Sequence, residues 1–187
     1  MRVLVAALVS TIALSGCIPQ GRAPVTAPRP APATPARPAP PPTAEAPMPI
    51  VRGEMLRYTT SPCFGACPVY TVTVRPDGTG TFEGQRHTAV TGVRDFRVTP
   101  AQYEAFLARL APYRPRSGTV RIAPGEPGCG QAATDLPSVE VQWDGKAGHR
   151  ALSYYFGCDR ERNQRMADAL GSAPDLLPIA SLIGARP

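Results

Sequence analysis

Long apolar runs are missing from this 187-residue chain. The longest, Val3 to Leu14, carries only Ser10 and Thr11 as polar interruptions. It holds about a dozen residues where a membrane-spanning helix needs roughly 20, which excludes a permanent span in this stretch. Histidine is scarce: His87 and His149 are the only two. A His-rich metal site is thereby excluded, and hairpin positions explain both residues more cheaply than a shared metal or a catalytic base. Charge of one sign is weak as well. The formal charge is +6, but Arg2, Arg22, Arg29 and Arg37 stand against Glu45 before residue 50, leaving 16 basic and 13 acidic residues, or +3, beyond it. That balance argues against nucleic-acid binding. No internal repeat and no Gly-x-Ser-x-Gly nucleophile elbow is present.

What is there begins with Arg2 before the short apolar run. That is the layout of a secretory signal over residues 1–16. Its end, Leu14-Ser15-Gly16-Cys17, resembles the lipobox of bacterial lipoproteins. The resemblance implies a diacylglyceryl thioether on Cys17 and cleavage just before it. Acyl chains stabilise membrane attachment by about 0.8 kcal/mol per buried CH₂, so two or three of them hold a protein almost permanently. Ile18 and Pro19 follow, with no Asp to resemble an inner-membrane retention signal. The expected address is the outer membrane, facing the periplasm.

Residues 18–49 hold twelve of the 24 prolines, interleaved with alanine. Proline removes backbone donors and alanine buries little, so residues 17–49 are expected to form a disordered Pro/Ala-rich tether. Extended at about 3.1 Å per residue, it would reach on the order of 100 Å.

Residues 50–187 have the length of one ordinary domain. Strand patterns fall at Met55–Thr60, Val69–Arg75 and Thr79–Glu83, the last two joined by the turn Pro76-Asp77-Gly78. His87–Thr91 and Val93–Val98 read as a further pair about Gly92, and a loop rich in glycine and proline precedes Ser138. Ser138–Trp143 and His149–Phe156 flank Asp144-Gly145 as a second hairpin. Thr99-Pro100-Ala101-Gln102 predicts a capped helix with Tyr103, Phe106, Leu107 and Leu110 on its core face. Asp159 caps another helix through about Leu170, and Ser172-Ala173-Pro174-Asp175 opens a short helical stretch to Ile183. The expectation is an α+β domain: a mainly antiparallel sheet of hairpins with two to three helices.

With Cys17 set aside, Cys63, Cys67, Cys129 and Cys158 remain, an even number in an exported chain. Three pairings are open; Cys63 with Cys67 and Cys129 with Cys158 is favoured, Gly65 allowing the first segment to turn. A thiol–disulfide redox site at Cys63 and Cys67 is the alternative, but redox pairs of the thioredoxin kind use two intervening residues at a helix start, not three before a strand. A four-thiolate zinc site lacks tight ligand pairs. Phe64 either plugs the end of the sheet, the cheaper reading, or is exposed as a binding anchor. Asp135 with Ser138 lacks an orienting histidine nearby, and Thr134-Asp135 reads as a turn before a strand. Arg160, Arg162 and Arg165 beside Asp159, Glu161 and Asp168 read as a solvated helix face, with binding of anionic lipid or glycan as the alternative, and Trp143, Tyr154 and Phe156 read as packing.

The nonapeptide Pro62-Cys63-Phe64-Gly65-Ala66-Cys67-Pro68-Val69-Tyr70, with Asp77-Gly78, Phe82-Glu83-Gly84 and Gly92, resembles the bacterial domain-of-unknown-function family 6438. Thr134-Asp135-Leu136-Pro137 matches a second family element before a strand, and the resemblance covers most of residues 52–160. It implies exported or lipid-anchored proteins without an assigned activity. It also keeps Cys63 and Cys67 in one motif, with Cys129 and Cys158 as additions. The expected role is a non-enzymatic binding or structural module at the cell envelope. It would need no metal or cofactor, and its partner would be an envelope protein or the cell wall. Phe64, Gly65 and Asp135 are the candidate binding residues.

Overall fold

The computed structural model describes residues 53–185. The expected signal segment (1–16), the expected lipidation site Cys17 and the proline-rich stretch to residue 49 lie outside the described residues.

Seven strands form one sheet: β1 (Met55–Thr60), β2 (Val69–Val74), β3 (Thr79–Arg86), β4 (Gly92–Arg97), β5 (Gly118–Ile122), β6 (Ser138–Gly145) and β7 (Gly148–Tyr155). Their order is β4-β3-β2-β1-β6-β7-β5, antiparallel except for the edge pair of β5 with β7. Three helices complete the described residues: α1 (Pro100–Leu110), α2 (Arg160–Ser172) and α3 (Ala180–Ile183). The domain is therefore α+β with a mostly antiparallel sheet.

Period-two alternation decides which face each side chain takes. One cross-strand row runs Phe82, Val72, Tyr58, Val141, Leu152, every member buried. The neighbouring row, Asp95, Thr81, Thr73, Arg57, Gln142, points to the opposite face and is polar from β4 to β6, ending on Ala151 of β7. Helices therefore cover the first face only, contributing Phe106, Leu107, Leu110 and Leu170 to the shared core. Within that core Tyr58 stacks on Tyr70 and Tyr70 on Phe82, at centroid distances of 6.3 and 5.4 Å. Such offset stacks add to the area burial of large rings.

The helix starts are local chemistry. Thr99 and Gln102 form the expected capping box. The Gln102 amide donates to Thr99 Oγ1 at 3.2 Å and the Thr99 amide to Gln102 Oε1 at 2.9 Å. Asp159 caps α2 by accepting from the Arg162 amide at 3.4 Å. Beyond α2 a 3-10 turn (Ala173–Leu176) precedes α3, and Pro178 separates the two.

Two expectations are corrected. His87–Thr91 is not a strand: β3 continues to Arg86 and pairs directly with β4, Glu83 opposite Val93. The connecting segment turns away with His87 at φ 54°, and the amides of Ala89 and Val90 donate instead to the carbonyls of Ile183 and Leu182. That crossing needs Gly84, where a Cβ would collide with the Val90 carbonyl oxygen. The second correction is β5, a strand inside a stretch expected to be loop. It is short, mostly exposed and parallel to β7. It therefore carries little of the apolar alternation by which a strand is recognised.

A buried ion pair closes the domain near its first described residues. Glu54 is 1 % exposed and accepts from Arg114 Nη2 at 2.5 Å, while its carbonyl accepts from the Tyr103 hydroxyl at 2.6 Å. Removing one partner strands a charge in a dry site. Arg114→Met alone should cost about 3–5 kcal/mol in denaturant unfolding, and Glu54→Leu combined with Arg114→Met distinctly less. Equal losses in the single and double variants would contradict this.

Burial also pushes the Tyr103 and Tyr154 hydroxyls above the ordinary 10.0. The fold favours their neutral forms, so this contribution is complete below the unfolded-state value and is lost as pH rises through the raised folded one. Phenolate absorbance should therefore show two of the six tyrosines ionising at higher pH than the others in the folded protein. Ionisation of Tyr103 and Tyr154 together with the rest, with near-UV dichroism intact, would refute it.

Candidate functional site

The pairing of β1 with β6 does not stop where the strands end. Past Thr60 opposite Val139, the Ser61 amide donates to the Ser138 carbonyl at 2.9 Å and the Ser138 amide to Ser61 Oγ at 2.7 Å. The Phe64 amide then donates to the Asp135 carbonyl at 3.1 Å. The loop between β1 and β2 is thus laced along the 135–138 segment by backbone chemistry. Its other end is tied by Thr60, whose hydroxyl donates to the Pro68 carbonyl at 2.8 Å and accepts from the Tyr70 amide at 3.0 Å.

Between these ties Cys63 is bonded to Cys67, with Cα atoms 5.7 Å apart. Gly65 sits at φ 135°. Residues with a Cβ rarely adopt that conformation. Phe64 stands within this small ring and points to solvent. It is 88 % exposed, the most exposed large apolar side chain among the described residues. The plug reading of Phe64 is therefore overturned, and the anchor reading fits its position.

The facing segment is held just as firmly. Asp135 takes φ 70°, and the Thr134 hydroxyl donates to its Oδ2 at 2.8 Å. Tyr155 donates its hydroxyl to the Ala133 carbonyl at 2.9 Å and accepts from the Leu136 amide at 3.2 Å; the Phe156 amide donates to the Pro137 carbonyl at 3.0 Å. Behind them Cys129 is bonded to Cys158, both fully buried, with Cα atoms 4.5 Å apart. Phe64 and Gly65 thus share one surface with Asp135, some 70 residues away in sequence.

Beside that surface lies an apolar slot of about 240 Å³, formed by Tyr58, Tyr70, Pro68, Pro137 and Phe156. The Tyr58 hydroxyl donates to the Leu170 carbonyl at 3.0 Å, so the phenol at its floor has its polar atom satisfied. Gly171 of α2 closes one side, where a Cβ would meet the Phe156 ring at 3.6 Å. Glycine inside a helix costs roughly 0.5–1 kcal/mol against alanine, and a methyl group here would rest against the Phe156 ring in ordinary contact. Pro137 and Phe156 also border a second, open cleft of about 670 Å³ along α2, lined further by Leu136, Arg160, Glu161, Gln164 and Asp168.

This arrangement suits binding. An apolar slot takes one aromatic or branched side chain, and the α2 wall offers charges of both signs. Ser138 has no histidine in reach. His149 bonds Asp144 at 2.7 Å, at the other end of β6. At the usual rise per residue that end lies about 20 Å along the strand. His87 is in the β3–β4 connection. Among the described residues no group of three or more His, Cys, Asp or Glu could hold a metal ion. Phe156, expected to be packing, borders both cavities, while Trp143 and Tyr154 are buried. The roles of Pro137, Phe156 and Gly171 were not legible beforehand; an unexplained glycine in a helical run was their one signal.

The two disulfides close loops of very different length, 4 and 29 residues apart. Loop entropy predicts a loss of about 2 kcal/mol for Cys63→Ala with Cys67→Ala and about 3.5 kcal/mol for Cys129→Ala with Cys158→Ala. Burial predicts the order of reduction too. Timed alkylation under mild thiol should label Cys63 and Cys67 first, and Cys129 and Cys158 only on unfolding; simultaneous labelling would contradict the burial argument.

No curated protein matches the chain. A family model described as Domain of unknown function (DUF6438) matches residues 54–173, a span that includes the cysteine loop, the 135–138 segment, both cavities and all of α2. The chain belongs to that family.

Proposed function

We propose that this protein is an outer-membrane lipoprotein, anchored through Cys17 and facing the periplasm, whose disulfide-stapled domain is a non-enzymatic docking module. The observation that carries the reading is Phe64: a large apolar ring, 88 % exposed, on a loop fixed at both ends and beside an apolar slot. Burying such a ring contributes about 1.5–3 kcal/mol, and a loop that is already ordered loses little entropy on binding. Exposed aromatics on rigid supports are the usual energetic centres of protein interfaces.

The sequence motif at Cys17 and the proline-rich segment supply the rest of the reading. They supply an address and a spacer long enough to present the domain away from a lipid surface. A thiol–disulfide enzyme at Cys63 and Cys67 draws less support, because Cys67 leads through Pro68 into β2. No helix start lowers a thiol pKa there.

Two measurements test the proposal together. Cys17→Ala should move the protein from the membrane to the soluble fraction, and unchanged membrane retention would refute the anchor. A photo-reactive phenylalanine analogue at position 64 should give a discrete covalent adduct in intact cells. Absence of any adduct there would refute the docking surface.

A further inference from the structure

The loop that carries Phe64 is not held evenly along its length. Up to Phe64 it is laced to the 135–138 segment by the Ser61 and Phe64 amides, and at Pro68 it is tied again to the Thr60 hydroxyl. Between these points, none of the hydrogen bonds among the described residues engages the backbone of Gly65, Ala66 or Cys67. The Cys63–Cys67 bond is what closes that gap. Gly65 and Ala66 are exposed, and the two cysteines are themselves partly exposed.

The same bond borders the neighbouring cavity. Cys67 lines the apolar slot together with Tyr58, Tyr70 and Phe156. One surface disulfide therefore shapes both the loop under the exposed ring and a wall of the slot. The other disulfide stands apart: Cys129 and Cys158 are fully buried and belong to the hydrophobic core. Thiol exchange needs access to a sulfur. A reductant in solution thus meets one bond whose loss touches the docking surface and leaves the core as it was.

We propose that the Cys63–Cys67 disulfide is a redox switch on this docking surface, oxidised for binding and released by reduction. The inference rests on the reading of the surface as a docking site and adds its control. The reductant is a dithiol, small or carried by a protein. One of its thiolates attacks a sulfur of the pair, forming a mixed disulfide and expelling the other cysteine as a thiolate. Its second thiol then breaks the mixed disulfide and frees the first cysteine. Two electrons and two protons pass to Cys63 and Cys67, and the reductant leaves as a disulfide. As the substrate of exchange and not its catalyst, the pair does not require the helix start that a thioredoxin-like nucleophile uses. Once the bond is gone, Gly65 to Cys67 lose their tie, and Phe64 is fastened from one side only. Binding must then order the loop first, which weakens it.

The test takes the full chain in detergent solution and treats it with dithiothreitol until alkylation labels Cys63 and Cys67 alone. Amide exchange at Phe64 should then run about tenfold faster or more, while the amides of β1 and β6 keep their rates. In cells, the photo-reactive analogue at position 64 should give its adduct in the wild-type chain and several-fold less of it when Cys63→Ser and Cys67→Ser are combined. The purified variant should keep the Cys129–Cys158 bond and its near-UV dichroism; loss of either would contradict the proposal, because the switch requires the fold to survive reduction. Unchanged exchange at Phe64 after reduction, or undiminished adduct from the serine variant, would overturn the switch and leave the docking surface standing. Absence of an adduct in the wild-type chain would overturn the docking surface, and with it any control over binding there.

Discussion

The hydrogen-bond ladder between β1 and β6 is where the rest of the site begins. Both strands are interior to the sheet, and their register is set by apolar rows that a one-residue slip would turn outward. Because the register is firm, its continuation is firm too: Ser61 to Ser138, then Phe64 to Asp135. The cysteine loop inherits its position from the core of the sheet. Without that continuation a small disulfide ring would still be a ring, but it would not be aimed. With it, Phe64, the 135–138 segment and α2 keep a fixed mutual geometry.

The two disulfides divide the work by location. Cys63–Cys67 shapes a local turn at the surface, with Phe64 exposed within it. Cys129–Cys158 joins the long connection after β5 to the start of α2, in a fully dry environment beside Tyr154. The sheet itself is covered on one face only. The polar row of Arg57, Thr73, Thr81 and Gln142 runs along the other face. It lets that face stand without a covering layer, as antiparallel sheets commonly do. The helices are thus free to serve the opposite side, where α2 both seals the core through Leu170 and supplies a wall of the cleft.

Local signals explain which parts of this architecture could be read from residues alone. Alternation in β1, β2, β6 and β7, the Asp77-Gly78 turn and the Thr99–Gln102 capping box are encoded within a few residues, and the structure places each of them as expected. His87–Thr91 misled because its pattern resembles a strand, whereas its amides find partners on α3, far away in sequence. β5 lacks the pattern because one side meets solvent and the other meets β7 in parallel. The site divides the same way. Cys63, Phe64 and Gly65 announce a constrained loop within one short motif, and Thr134-Asp135 a turn. That the two meet depends on bonds such as Ser138 to Ser61, 77 residues apart in sequence. That Gly171 lines a slot beside them depends on its distant neighbours in the fold, which no local pattern contains.

The central claim is that the Phe64 loop is ordered before anything binds to it. Hydrogen exchange of the Phe64 amide, resolved by NMR in the oxidised protein, measures that directly. The Phe64–Asp135 bond predicts strong protection at an amide whose own side chain is almost fully exposed. Exchange at the rate of an unstructured chain would contradict the account, because an anchor on a mobile loop would have no fixed partner geometry to offer.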